Sequence, residues 1–176
     1  MKGQQLLKML EGGTLRSIGR SEEAAGEVLA NPLLFKHLVR GMQSADPILR
    51  MRAADAAEKV TRHNPILLAP HKKRILTTIA RINQQEVRWH AAQMMSRIEW
   101  NSKERSALIT LLEEYLRDRS SIVRTSAMQT LADLASQDKK LRGGIVKTLK
   151  ELTATGTPAM KARGKRLLEG LGQKPK

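Results

Sequence analysis

The segment Asp46–Val60, DPILRMRAADAAEKV, decides the fold because it recurs. Placing Arg50 over Arg88, Arg124 and Lys161 gives LRMRAADAAEKV at 49–60, VRWHAAQMMSRI at 87–98, VRTSAMQTLADL at 123–134 and MKARGKRLLEGL at 160–171. The offsets are 38, 36 and 37 residues. Each copy has an apolar residue, a cation, and then Ala or Gly three positions on. Apolar residues follow at seven and ten: Ala57/Val60, Met95/Ile98, Leu131/Leu134 and Leu168/Leu171. That spacing marks one stripe of a 3.6-residue helix. A period near 37 residues is one helix pair long, and helix pairs stack because neither can bury its apolar face alone. The expected fold is all-α, an α-α superhelix in one domain over 1–176. Its helix pairs fall at roughly 31–63, 65–99, 101–136 and 138–172, behind one or two N-terminal helices.

Composition sets the chemistry. Of 176 residues, 40% are hydrophobic but only 2% aromatic, so the interior is built from Leu, Ile, Val, Met and Ala. A net charge of +15 exceeds what solubility asks of so small a chain and points to a polyanionic partner. The absence of cysteine excludes disulfides, Cys–metal sites and Cys nucleophiles. No apolar run reaches the length of a membrane span, and MKGQQLLKMLEGG is too short and polar for a signal peptide. The chain reads as cytoplasmic, with no membrane partner.

Helix boundaries follow from caps and breakers. Gln4–Leu10 forms a short helix with Leu6, Leu7 and Leu10 on one side, read as a cap on the array rather than a membrane-surface helix. A second helix starts near Ser21. Asn31-Pro32, Asp46-Pro47 and Thr157-Pro158 pair an N-cap with proline at the first helical position. Asn83 with Glu86 and Asn101 with Glu104 resemble capping boxes. Ser120 or Ser121, and Asp138, open the helices near them. The second repeat's first helix is expected over about Pro70–Arg81; Gly172 ends the last helix, and the tail QKPK should fray.

An apolar residue, Arg, and Ala three further on, opening the second helix of a 37-residue pair, resembles the HEAT-repeat superfamily. The resemblance covers roughly 31–172 and implies that the second helices line a concave binding face. In the family the motif Arg commonly pairs with an upstream Asp. Here Asp118 stands six residues before Arg124, but Ser44, Ile82 and Thr155 fill that place in the other copies. The acidic half is mostly missing, which would free the cations for an outside partner.

Taking the motif cation as zero and about 100° per residue, positions −1, +3, +7 and +10 form the buried stripe, while +1, +2, +5, +9 and +12 should be open. The open positions hold Met51 and Trp89, Arg52, His90 and Arg163, Arg166, Lys59 and Arg97, and Arg62. Residues 46–100 carry +5, 101–137 carry 0 and 138–176 carry +8, so the face is expected to be basic except in the third repeat. The candidate nucleic-acid contacts are Arg50, Arg52, Lys59, Arg62, Arg88, Arg97, Arg124, Lys161, Arg163, Lys165 and Arg166, through phosphates. Trp89 either stacks on a base or anchors a partner side chain, or packs on a neighbouring helix. Trp100, past its helix end, is expected to be structural. Lys139 and Lys140, on a first helix, should matter less for binding than Arg52 and Arg97.

Catalytic patterns are weak. No Gly-x-Ser-x-Gly elbow occurs. The stretch around Gly164-Lys165 has Ala159 and Arg166 where a phosphate loop needs Gly and Ser or Thr. The four histidines lack metal-ligand spacing, so neither metal nor cofactor is expected. The resemblance extends to the DNA-alkylation-repair glycosylases, which set an acid among aromatics in a basic HEAT-like cleft. Asp55 or Asp133 with Trp89 would be the candidates, on a chain that is short and poor in aromatics. The reading is a non-catalytic module binding DNA or RNA backbone; the alternative is a scaffold for an acidic protein.

Overall fold

The computed structural model describes residues 2–173, and among them it contains helices and no strand. The helices are α1 (Gly3–Lys8), α2 (Ser21–Ala30), α3 (Phe35–Gly41), α4 (Pro47–His63), α5 (Lys72–Thr77), α6 (Gln85–Met95), α7 (Ser102–Tyr115), α8 (Ser121–Gln137), α9 (Lys139–Thr155) and α10 (Pro158–Gly170). The fold is all-α, as the repeat implies. Two compact units emerge, one ending at Ile98 and one beginning at Glu99.

In the first unit α4 is central, packed on α2, α3 and α6. The buried stripe is as expected. Position −1 of each copy (Leu49, Val87, Val123, Met160), position +3 (Ala53, Ala91, Ala127, Gly164) and position +7 (Ala57, Met95, Leu131, Leu168) are all buried; at +10 only Ile98 is half-buried. The small residue at +3 is where helices come closest. A methyl on Gly164 would lie 2.0 Å from Thr153 Oγ1 of α9. In the first unit a methyl on Gly41 would meet Ala53 Cβ at 2.9 Å. Leu6 and Leu10 are fully buried and α1 packs on α3, so the N-terminal helix does cap this unit.

Several caps form as the sequence implies. Asp46 Oδ1 accepts from Ile48 N at 2.9 Å, Asp138 Oδ1 from Lys140 N at 2.9 Å and Thr157 Oγ1 from Met160 N at 3.4 Å. Asn101 and Glu104 make both bonds of a capping box. Others differ. The Asn83–Glu86 box does not form, because α6 begins one residue later with Gln84 as N-cap. Gln84 is held away from capping, its amide bonded to Arg50 and to Pro47 O. The helix expected over Pro70–Arg81 is broken into α5 between two 3-10 segments, Pro65–His71 and Ile79–Arg81. Pro70 offers no N–H to an α-helical ladder, and the tighter winding tolerates it. The last three residues of the QKPK tail lie outside the described residues.

Polar contacts between helices repeat with the sequence period. Arg50–Gln84 and Arg97–Thr61 span 34 and 36 residues in the first unit. In the second, Ser121–Thr157 and Arg163–Gln129 span 36 and 34. Equivalent residues of consecutive helix pairs thus lie side by side, as stacking requires.

Candidate functional site

The cations chosen from the sequence divide into two groups. Those of the first unit are all bonded within the chain, and all but Arg62 are at least half-buried. Arg50 Nη1 donates to Ser44 O at 2.7 Å and Ala45 O at 3.1 Å, and Arg88 Nε donates to Ile82 O at 3.0 Å. Ser44 and Ile82 occupy the place six residues upstream where the acid is missing. Their backbone carbonyls take over the acceptor role, so the missing carboxylates do not free these guanidinium groups. Arg124 sits at the equivalent place in the second unit, with its Nε buried.

The largest correction concerns Arg52, expected on an open face but only 5% exposed. Its Nε donates to Ser17 O at 3.1 Å, and its Nη1 to Leu10 O at 3.1 Å and Glu11 O at 3.2 Å. The segment between α1 and α2 therefore wraps over the position read as solvent. Gly13 and Gly19, at φ +81° and +53°, pass against the guanidinium. Cβ atoms there would lie 2.8 Å from Nη2 and 2.6 Å from Cζ respectively. Neither the backbone angle nor the space suits a larger residue.

Lys59 and Arg97 are likewise engaged. Lys59 Nζ lies 2.7 Å from Asp55 Oδ2 and 2.8 Å from Glu22 Oε1. Asp55 also accepts from the Ser21 hydroxyl, and its other oxygen is 3.7 Å from His90 Nε2. Arg97 donates from Nη1 to Glu58 O at 2.8 Å and Thr61 Oγ1 at 2.9 Å, and from Nη2 to Glu58 Oε1. Arg62, on the exposed end of α4, binds the same carboxylate at 2.8 Å from Nε. Burial alone would push the Glu58 carboxyl up, but hydrogen bonds from Arg62 and Arg97 and their charge hold it below the usual carboxylate range. Burial likewise works against the Lys59 ammonium, and bonds to Asp55 and Glu22 outweigh it, raising the group above its ordinary value. Burial pushes the His90 imidazole down, with Asp55 and Glu58 opposing.

Asp55 sits at the centre of this network, its carboxylate buried and bonded to Ser21 and Lys59. Asp133, in the second unit, accepts from Gln129 Nε2 at 2.9 Å. Trp89 is half-buried, its ring centroid 5.4 Å from that of His90. Trp100 is 4% exposed, in keeping with a structural role. Among the described residues no group of three or more acids and histidines could hold a metal ion, and no helix is long and apolar enough to cross a membrane.

The second unit differs. Lys161, Arg163, Lys165 and Arg166 are all exposed on α10, with Arg163 bonded to Gln129 Oε1 at 3.0 Å. α10 packs on α8 and α9 through Met160, Gly164, Leu167, Leu168 and Leu171, which leaves its other side open. α9 adds Lys139, Lys140, Lys147 and Lys150, all exposed. At about 100° per residue these four fall within an arc of about 100°. Within that arc lie Gly143 and Ala154 and no carboxylate; Glu151 and Gly144 lie at its edge. None of the four lysines makes an ion pair among the described residues. Sequence reasoning set Lys139 and Lys140 aside as a control because they lie on a first helix. Their signal was present in KKLRGGIVKTLK, where Lys139, Lys147 and Lys150 share one helical side.

No family model matches the chain, and no curated protein matches it. The chain is similar to the crystal structure of an engineered protein from the Northeast Structural Genomics Consortium, at 20% identity and a TM-score of 0.62. The match covers 96% of this chain and 78% of that one. At this identity the likeness concerns the fold alone.

Proposed function

We propose that this chain is a non-catalytic, HEAT-like repeat module that binds the phosphate backbone of DNA or RNA through the α9–α10 side of its second unit. The observation that carries the reading is the α9 face, where four lysines share one arc with no carboxylate among them. Lys161, Lys165 and Arg166 on α10 add to the same unit's charge. Unpaired cations cost nothing to present to phosphates, whereas Arg52, Lys59 and Arg97 would first have to break internal bonds. Released counterions then drive a salt-sensitive, sequence-independent association. The cysteine-free composition fits a cytoplasmic setting.

A second reading is favoured by one feature. A hollow of about 300 Å³ lies beside the lysine face, its lining mainly the apolar Ile109, Leu131, Leu141 and Ile145, with Lys140 and Glu113 among its polar residues. An acidic protein could seat an apolar side chain there and set carboxylates against the lysines.

The test is fluorescence anisotropy with labelled duplex DNA, single-stranded DNA and RNA over roughly 50 to 300 mM salt. Backbone recognition gives a linear fall of log K with log salt, with slope near −0.9 per duplex phosphate contacted. Lys139→Glu/Lys147→Glu/Lys150→Glu should weaken binding at least about tenfold. Absence of binding at the lowest salt ends the nucleic-acid reading and moves the search to an acidic protein.

A further inference from the structure

The first unit holds a cleft of about 920 Å³ that takes only Leu49 from the repeat motif. It lies among α1, α3, the turn leading into α4, and α5. Its polar lining is Gln4, His37, Arg40, Gln43, Ser44 and Arg74, over an apolar floor of Leu7 and Leu49. No carboxylate lines it.

Most other guanidinium groups of this unit are engaged within the chain; Arg16, exposed on the segment between α1 and α2, is not among the cleft's residues. Arg50, Arg52, Arg88 and Arg97 each reach a carbonyl, and Arg20 and Arg62 each reach a carboxylate. Arg40 and Arg74 come from different helices to one cleft, and neither guanidinium has a hydrogen bond or ion pair among the described residues. The neutral groups beside them are rich in donors. The Ser44 hydroxyl oxygen already accepts from Asp46 N at 3.1 Å, which leaves its proton to donate. Gln4 brings an amide, and His37 an imidazole held flat against Gly3, where a Cβ would lie 2.2 Å from the ring.

Two unpaired guanidinium groups, neutral donors and no acid complement a multiply charged oxyanion, because each guanidinium presents a planar fork that fits two oxygens at once. The volume and the leucine floor suit an organic body as well as its charged group. We infer that this cleft binds a phosphorylated small molecule of mononucleotide size, its phosphate clamped between Arg40 and Arg74 and its body over Leu7 and Leu49. The site lies in the first unit and is independent of the lysine face.

The experiment is isothermal titration calorimetry of the full chain with inorganic phosphate, pyrophosphate and ATP, at constant ionic strength set with chloride. Saturable one-to-one binding is expected. ATP tighter than pyrophosphate supports a body seated on the leucine floor; equal affinity overturns that part of the inference. Arg40→Gln and Arg74→Gln, both on exposed side chains, should each weaken binding at least about tenfold without lowering Tm. Lys147→Glu/Lys150→Glu should leave it unchanged. No saturable heat with any of the three anions overturns the inference, and so does binding that survives Arg40→Gln/Arg74→Gln.

Discussion

Arg52→Ala separates the two roles available to the cation column. On an open stripe, Arg52 would lower polyanion affinity when removed and leave stability alone. In the structure it is 5% exposed and donates three hydrogen bonds to the carbonyls of Leu10, Glu11 and Ser17. Hydrogen bonds from a charged donor contribute about 1.5–3 kcal/mol each. The total is offset by relief of the buried guanidinium and by water reaching carbonyls on an exposed segment. A net loss of about 2–4 kcal/mol follows, a large share of the about 5–15 kcal/mol that holds a domain together. Urea unfolding followed by circular dichroism measures it. Limited proteolysis should show faster cleavage within residues 11–20, because the bonds that pin this segment are gone. Arg52→Lys should recover only part of the loss, since one ammonium cannot reach three carbonyls fixed by a planar fork. A midpoint within about 0.5 kcal/mol of wild type, together with a tenfold loss of DNA affinity, would refute the buried assignment and restore the stripe.

Three further outcomes follow from the same geometry. Glu58→Ala leaves Arg97 facing a buried gap and should cost about 3 kcal/mol in urea unfolding, since the Glu58 side chain is 1% exposed. Gly143→Ala and Gly144→Ala should each stabilise by up to about 1 kcal/mol in thermal unfolding, because both are helical and nothing lies within 4 Å of an added Cβ. If these variants also bind nucleic acid less well, the bare backbone there forms part of the contact. His90 should make the protein acid-sensitive. Its folded-state value lies below the ordinary 6.5, so its contribution is present above pH 6.5 and is lost as the pH falls from there toward the folded value. Tm measured between about pH 7 and 5 should fall less in His90→Asn than in wild type.

The motif positions of α10 stay open because it packs on α8 and α9 through its apolar stripe. Positions +1, +2, +5 and +9 are exposed in its copy, as Ala162, Arg163, Arg166 and Gly170. In the first copy the same positions hold Met51, Arg52 and Asp55, all buried, and Lys59, half-buried. α4 has α2 on one flank, α6 on another and the segment from Leu10 to Ser17 across it. Helical phase alone assigns both helices the same open side, and only the neighbours distinguish them.

What the sequence determined by itself is local and periodic. The apolar spacing at −1, +3, +7 and +10 placed the buried stripe in all four copies, with Ile98 alone half-buried, because burial of one helix face depends on residues a few positions apart. Caps at Asp46, Asn101, Asp138 and Thr157 were legible because each depends on an N–H two or three residues away. The destination of the cations was not. Whether Arg52 meets a phosphate or the Leu10 carbonyl depends on residues 41 and 42 positions away in the chain, as it does for Glu11 and Leu10. The cleft of Arg40 and Arg74 likewise arises only when α3 and α5 converge. A guanidinium bonds to whichever acceptor the packing brings within reach, and that choice is made by the tertiary structure.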